Sequence, residues 1–256
     1  MIRICETIEK DLKIIWIKNE DLGSPFKELY HPLNHPTVKT ELIELNKRPF
    51  LYSDRLLGNP RQKLYNAFLK QYQKFYFDKV LHARETALLK TKGYDFLNLK
   101  NYQKPYISSW GKMDDKTFNS SIFEPVDSIK PEIITFKTPT IGVHIRRTDH
   151  SLVINKTPLE RFYQMMDQEL IEDPKVKFFV ASDSAEVKVE LEKRYPDHLI
   201  TTSPLKSERG SSKGMINAMI DLYSLANTKK IIGTSLSTFT LMASEIKGIK
   251  LIEIGK

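Results

Sequence analysis

The stretch Thr140-Ile141-Gly142-Val143-His144-Ile145 decides the fold, because it is short, apolar and rich in β-branched residues. Pro139 precedes it, and the charged pair Arg146-Arg147 follows it. A run bounded in this way is typical of a buried strand. Strands that are buried on both faces are typical of parallel sheets whose two faces are covered by helices.

Strand-like and helix-like segments alternate with short connections from residue 139 onwards. Thr157-Pro158-Leu159-Glu160 is a capping-box sequence, which predicts that a helix begins there. Such alternation predicts an α/β domain with a parallel sheet, in which ligands bind beyond the carboxyl ends of the strands. The predicted strands are 140–145, 176–181, 199–200, 230–233 and 249–252, and the predicted helices are 158–170, 184–195, 214–227 and 237–246.

The first half of the chain is less regular. Residues 12–17 are predicted to form a strand, and residues 62–80 form a predicted helix rich in Tyr and Phe. Proline and aromatic residues before residue 139 indicate a connecting region, and we place a domain boundary near residue 135. The predicted loops are 49–60 and 104–115, and the predicted domains are 1–135 and 136–256.

Composition is that of an ordinary folded protein. The chain has 256 residues, of which 40% are hydrophobic, enough for one large domain or two small ones. It contains no apolar run long enough to span a membrane, and its start lacks the pattern of a signal peptide. Cys5 is the single cysteine, so no internal disulfide is expected, and the histidines show no zinc spacing. A cytoplasmic location fits best.

The formal charge of +8 favours an anionic partner, although the sign alone does not separate nucleic acid, anionic lipid and a phosphorylated small molecule. The excess lies mostly in residues 1–140, which carry 23 Lys+Arg against 17 Asp+Glu. The lysines are interspersed with acids, as on a solvated surface. We therefore expect no nucleic-acid partner, and peripheral contact with a membrane stays open.

Arg146 and Arg147 stand where the predicted strand ends. Successive strand side chains point to opposite faces, so the two guanidinium groups should diverge. An arginine held there can bind a diphosphate bidentately, and Asp149 can orient it. The alternative is a surface cluster of ion pairs without function.

Polar residues also follow two other predicted strands. Asp183 and Ser184 open the helix after the second strand, and Ser235, Ser237 and Thr238 precede the helix after the fourth. Helix N-termini at such positions favour phosphate, although the same residues commonly serve only as helix caps.

Asp221 lies within the buried helix 214–227 and is predicted to be either a structural acid or one that reads a purine edge. Several common sites are missing from the sequence. The ten glycines form neither a dinucleotide fingerprint nor a P-loop, and no serine-hydrolase elbow or D-x-D metal pair occurs. Charge on a leaving diphosphate would therefore have to be met by arginine and helix amides.

Residues 141–149 closely resemble H-x-R-R-x-D, the first motif of the fucosyltransferases that form α-1,6, α-1,2 and protein O-linked fucose. Residues 180–184 are similar to their second motif. Asp221 with the segment 231–239 is similar to their third. The similarity runs from about 139 to 254, in the same order and spacing.

This resemblance implies a GT-B-like α/β enzyme of two Rossmann-like halves, with the donor in the C-terminal half and the acceptor in the cleft. It implies metal-independent, inverting transfer from GDP-β-L-fucose, with no cofactor besides the donor. Arg146 and Arg147 would bind and neutralise the leaving diphosphate, and His144 and Asp221 would contact the nucleotide. The residues implied to line the donor site are Asp183, Ser184 and Ser237.

The chain departs from the family pattern at two places. Relatives carry a proposed glutamate base soon after the arginines, whereas residues 151–155 contain no acid. The base is unassigned, since Asp149 paired with an arginine would be a weak one. Relatives also open with a glycine-rich G-x-G-N loop, whereas this chain begins as if inside the following helix, so the N-terminal domain is expected to be incomplete. Use of another GDP-sugar and binding of a GDP-sugar without catalysis are the alternatives.

Overall fold

The computed structural model describes residues 1–19, 22–46, 50–52, 60–109, 111–113, 123–147, 156–202 and 210–255. The chain divides into two compact units. One comprises Met1–Asn19 with Pro32–Lys116, and the other comprises Glu20–His31 with Thr117–Lys256. The assignment of acceptor-side and donor-side domains on either side of residue 135 stays a prediction.

The first unit contains two small parallel sheets. Its elements are α1 (Ile2–Thr7), β1 (Leu12–Ile17), β2 (Thr40–Leu45), α2 (Pro60–Tyr76), β3 (Lys79–Leu81), α3 (Ala83–Thr91) and β4 (Pro105–Ile107). In one sheet β1 pairs with β2, and Leu12 lies opposite Thr40. In the other, β3 pairs with β4, and Lys79 lies opposite Pro105. The predicted strand over 12–17 is confirmed.

Two predictions for this unit are wrong in part. The helix predicted over 62–80 ends at Tyr76, and β3 follows it. The loop predicted over 104–115 contains β4. Between α2 and β3, the Asp78 carboxylate accepts the backbone N–H groups of Gln103 and Lys104. This contact ties the end of α2 to the start of β4, where a strand pair forms. Residues 53–59 of the loop predicted over 49–60 lie outside the described residues.

The second unit is built on a five-stranded sheet in which every pair is parallel. Its elements are β5 (Thr140–Ile145), α4 (Leu159–Glu172), β6 (Lys177–Ser182), α5 (Ala185–Arg194), β7 (Leu199–Ile200), α6 (Ser212–Leu225), β8 (Lys230–Thr234), α7 (Thr238–Lys247) and β9 (Lys250–Ile254). The strand order is β7-β6-β5-β8-β9. The predicted α/β class and parallel sheet are confirmed, and every helix and strand predicted beyond residue 139 is present with small shifts at its ends.

Helices cover both faces of this sheet, which explains the unbroken apolar runs of its strands. Ile141, Val143 and Ile145 point to one face and pack with residues of α4 and α5, such as Phe162 and Leu191. The other face packs against α6 and α7. Alternate side chains of β6 enter two separate cores, with Phe178 and Val180 on one face and Phe179 and Ala181 on the other.

The start of α4 differs from its prediction. Pro158 is the N-cap, with φ −61° and ψ 144°, and no side-chain cap bond is made. Thr157 is fully buried instead, and a Cβ added to Gly255 would lie 2.8 Å from its methyl carbon. Packing against the end of β9 has therefore displaced the predicted capping box.

β5 and β8 are neighbours in the sheet, although two strands separate them in sequence. The helices after β5 and β6 cover one face, and those after β7 and β8 cover the other. The chain thus reverses its winding direction between β5 and β8. In open α/β sheets, ligands bind beyond the carboxyl ends of the strands at such a switch point.

Gly233 of β8 allows α7 to pack unusually close to the sheet. A Cβ added at this position would lie 2.1 Å from the Cγ2 methyl of Thr240 in α7. We expect Gly233→Ala to lower the free energy of unfolding by about 1–3 kcal/mol, because the helix must move or its side chains must leave their rotamers. Denaturant unfolding of both proteins measures this difference.

Thr240→Ser provides the matched rescue, since it removes the clashing methyl and keeps Oγ1, which would lie 3.2 Å from the added Cβ. The double variant should recover most of the lost stability, whereas Thr240→Ser alone should have a small effect. Equal destabilisation of Gly233→Ala with and without Thr240→Ser would contradict the explanation.

The described ranges contain neither a helix that could span a membrane nor a group of side chains that could bind a metal ion. No helix there is long and apolar enough to cross a membrane. Among the same residues, no three His, Cys, Asp or Glu side chains come together as a metal-ion site would require.

Candidate active site

The carboxyl ends of β5, β6 and β8 bring most of the predicted site residues to one edge of the second unit. β5 lies between the other two strands, with His144 opposite Ala181 of β6 and Gly233 of β8. The segment after β5 carries both arginines, and the ends of β6 and β8 lie on either side of it. The edge is therefore organised around β5.

His144 is buried on the face of β5 that α7 covers. A hydrogen bond of 2.5 Å joins its Nδ1 atom and Oγ1 of Thr240, and its ring stacks on Phe239 with 4.8 Å between centroids. Both contacts depend on the close approach of α7 at Gly233. The contact with Thr240 fixes the orientation of the imidazole ring. Thr240 was missed in the sequence, since nothing in the local pattern marks a contact between residues 96 positions apart.

The backbone on either side of the two arginines is fixed by side chains from neighbouring strands. The N–H of Arg146 donates to Oγ1 of Thr234 at the end of β8, and that hydroxyl donates to the carbonyl oxygen of His144. The N–H of Arg147 donates to the Asp183 carboxylate over 2.7 Å. The turn that carries the arginines is thus tied to β8 on one side and to β6 on the other. Thr234 is a second residue that sequence reasoning missed.

The two guanidinium groups have different surroundings. Alternation along β5 places Arg146 on the face of His144 and Arg147 on the opposite face, with Ile145. Glu160 of α4 and Glu190 of α5 interact electrostatically with the Arg147 guanidinium, as does Asp183. Burial lowers the pKa of Arg147, and the charges of Glu160, Asp183 and Glu190 oppose that shift. Arg147 thus lies in an acidic environment formed by these side chains.

The segment after β6 is held together by serine hydroxyls. Ser182 donates its hydroxyl to the carbonyl oxygen of Ile145 over 2.7 Å and accepts the N–H of Ser184. Ser184 caps α5 through the N–H of Val187, and its hydroxyl donates to Glu186. Ser184 therefore has a structural role as a helix cap, whereas Asp183 contributes by anchoring the arginine turn.

The loop between β8 and α7 carries three of the predicted donor-site residues. Ser237 caps α7, and Thr238 is exposed at the first position of the helix. Between them and β8, Leu236 is 68% exposed and has a φ of 58°, a strained backbone conformation for a non-glycine residue. Such strain is concentrated at functional sites. Ser235 is buried, and no hydrogen-bond partner for its Oγ occurs among the described residues.

Asp221 lies on α6 and accepts a hydrogen bond from the hydroxyl of Thr202, two residues beyond β7. Burial raises the pKa of this carboxyl, although the charge of Lys188 and the Thr202 bond oppose the shift. The Thr202 contact places the Asp221 carboxyl near the carboxyl end of β7, beside β6. The positions of both Asp149 and Thr148 lie outside the described residues.

Comparison with solved structures identifies the fold. NodZ alpha-1,6-fucosyltransferase, in a structure co-crystallised with GDP, is 20% identical in sequence to this chain. The match covers 94% of this chain and 84% of that one, with a TM-score of 0.60. Fucosyltransferase NodZ from Bradyrhizobium is 19% identical, with 94% and 85% covered and the same TM-score. The chain therefore has the GT-B-like α/β fold of these proteins, as predicted.

Two sequence comparisons complete this result. No curated protein matches the sequence of the chain. The family model described as alpha-(1,6)-fucosyltransferase N- and catalytic domains matches residues 118–248, just over half of the chain. This range contains the arginine pair and all three strand ends that carry the predicted site. The chain belongs to the family of alpha-(1,6)-fucosyltransferase N- and catalytic domains and is a fucosyltransferase-like glycosyltransferase.

Proposed function

We propose that this protein transfers L-fucose from GDP-β-L-fucose to a glycan acceptor, with inversion at the anomeric carbon and without a metal ion. The observation that carries the proposal is the position of Arg146. It follows β5 at the switch point of the sheet, and its backbone N–H is bound by Thr234, whose hydroxyl donates to the carbonyl oxygen of His144. Two solved structures of similar fold are of NodZ alpha-1,6-fucosyltransferase, one co-crystallised with GDP and one soaked with GDP-fucose.

Arg146 would act on the diphosphate as it leaves. Transfer breaks the bond between the anomeric carbon and the β-phosphate oxygen, and negative charge builds on that phosphate. A guanidinium held by preorganised backbone contacts stabilises this charge more in the transition state than in the ground state. The first turn of α7, capped by Ser237 beyond the neighbouring strand, would add backbone dipoles of the same sign.

The remaining predicted residues would bind the donor. Asp221 would accept the N1–H and 2-amino groups of guanine, because a carboxylate matches two adjacent donors. His144 would contact the nucleotide, and Ser235, Ser237 and Thr238 would line the phosphates. Asp149 would orient an arginine. Arg147 would bind and neutralise the diphosphate together with Arg146.

The acceptor hydroxyl would attack the anomeric carbon from the face opposite the diphosphate. Its proton must pass to a base as the new glycosidic bond forms. Asp149 paired with an arginine is a weak candidate, and the base stays unassigned. The acceptor is a glycan by the same proposal.

Proton NMR of donor hydrolysis tests this proposal, with water in place of the acceptor. We expect α-L-fucose to be the first sugar released from GDP-β-L-fucose, in equal amount to GDP and at the same rate in excess chelator as in magnesium. Release of β-L-fucose first would contradict inversion, and loss of turnover in chelator would contradict metal independence. Binding of GDP-fucose with neither hydrolysis nor transfer to glycans would indicate a non-catalytic binder.

A further inference from the structure

Helix α2 of the first unit has an inverted pattern of burial. Its inward stripe consists of Asn66, Leu69 and Gln73, of which only Leu69 is hydrophobic. Surface helices of globular proteins normally turn their apolar stripe to the core. Here the inward stripe is mostly polar, so the apolar residues of the helix lie elsewhere.

Those apolar residues face solvent. Leu64, Phe68 and Phe75 are spaced to form one stripe and are 75%, 62% and 86% exposed. Tyr72 and Tyr76 lie beside them, with 5.1 Å between their ring centroids and 2.8 Å between their hydroxyl oxygens. The rings of Phe68 and Tyr72 are stacked. We define Leu64, Phe68, Tyr72, Phe75 and Tyr76 as the aromatic face of α2.

Positive charge accompanies this face. The 17 residues of α2 include four basic residues and no acidic one, and Lys63, Lys70 and Lys74 share a stripe. Lys70 forms an ion pair of 3.1 Å with Glu85, whereas Lys63 and Lys74 are exposed. The first acid beyond the helix, Asp78, is engaged by backbone N–H groups.

An exposed aromatic face beside a basic stripe matches an amphipathic helix that lies in a membrane interface. Phe and Leu enter the boundary of the acyl chains, Tyr takes the headgroup level, and long Lys side chains reach back to lipid phosphates. A surface of neutral sugar or of another protein would not require a helix without any acid. We therefore propose that the aromatic face of α2 docks the protein on an anionic membrane surface.

Vesicle co-sedimentation of the full chain tests the proposal. We expect binding to vesicles of phosphatidylcholine mixed with phosphatidylglycerol, weak binding to phosphatidylcholine alone, and release at high salt. Phe68→Ser/Phe75→Ser should lower the partition coefficient on mixed vesicles by about tenfold or more, because two phenylalanines no longer enter the interface. Ile171→Ser is the matched control, since Ile171 of α4 is also 75% exposed.

A second pair of variants separates charge from apolar contact. Lys63→Gln/Lys74→Gln should weaken binding to mixed vesicles by roughly tenfold, at about 1 kcal/mol per lysine near the surface. Lys175→Gln/Lys193→Gln makes the same change in net charge at exposed positions of the other unit and should have little effect.

Donor hydrolysis and Tm, measured on every variant, establish that each one is folded and keep this test separate from the proposed transferase activity. Equal binding of both vesicle types, or equal loss with the control variants, would overturn the proposal. The proposal would also be overturned if wild-type protein did not bind vesicles and light scattering showed a dimer that Phe68→Ser/Phe75→Ser dissociates. The aromatic face would then bind a second copy of the chain.

Discussion

Arg146→Ala is expected to lower kcat for GDP-fucose turnover by about a thousandfold while Tm stays close to that of the wild type. One lost charge-stabilising donor in a preorganised site commonly costs this much. Arg146 follows the His144 face of β5 and is tied to Thr234 by its backbone N–H, a contact that alanine keeps. The variant should therefore lose the guanidinium group and keep the backbone conformation of the turn after β5.

Steady-state kinetics of donor hydrolysis or transfer measure this effect, with Arg161→Ala as the matched control. Arg161 is an exposed residue of α4, so its removal makes the same chemical change away from the candidate site. Turnover by Arg146→Ala within about threefold of wild type would mean that the arginine motif is structural here. Loss of turnover with a large drop in Tm would mean that Arg146 holds the fold and would contradict the proposed role.

Asp221→Asn is expected to change stability and GDP affinity in opposite directions. Burial raises the pKa of the Asp221 carboxyl in the folded protein. A carboxyl with a raised folded pKa contributes stability that is complete below its unfolded pKa of about 3.9 and is lost as the pH rises through the folded value. Asparagine never ionises and can still accept the Thr202 hydroxyl. The variant should therefore have a higher Tm at pH 7, and the difference should shrink toward pH 4.

The same substitution should weaken GDP binding by about 10–100-fold, because charge-assisted hydrogen bonds to the guanine edge are lost. Calorimetric Tm values across the pH range and a GDP titration measure the two effects. Asp197→Asn, at an exposed position before β7, is the matched control for both. Unchanged GDP affinity would show that Asp221 is a structural acid only, and a lower Tm at pH 7 would contradict the account of its burial.

The second unit was predictable because its elements are set by local sequence. The run 140–145 is short, rich in β-branched residues and bounded by Pro139 and Arg146, as is typical of a buried strand, and helix 214–227 repeats apolar residues at helical spacing. The first unit was less predictable. Apolar spacing continues from α2 into residues 77–80, and only pairing with β4, more than 20 residues away, makes a strand there. That pairing leaves no local signal.

The residues of the candidate site also fall into two groups, those that the sequence predicts and those that it does not. His144, Arg146 and Arg147 follow directly from their place at the end of a predicted strand. Thr240 and Thr234 could not be found, because each acts through a contact with a residue about 90 positions away. The sequence around Gly233 does not indicate that α7 packs closely against this residue.

Calorimetric titration of GDP into the full chain, in the presence of chelator, tests most directly whether the carboxyl edge of the β5–β8 sheet is the donor site. We predict a single site with micromolar affinity, with binding abolished by Arg146→Ala and retained by Arg161→Ala. Absence of binding by folded wild-type protein, or binding that Arg146→Ala leaves intact, would contradict the assignment.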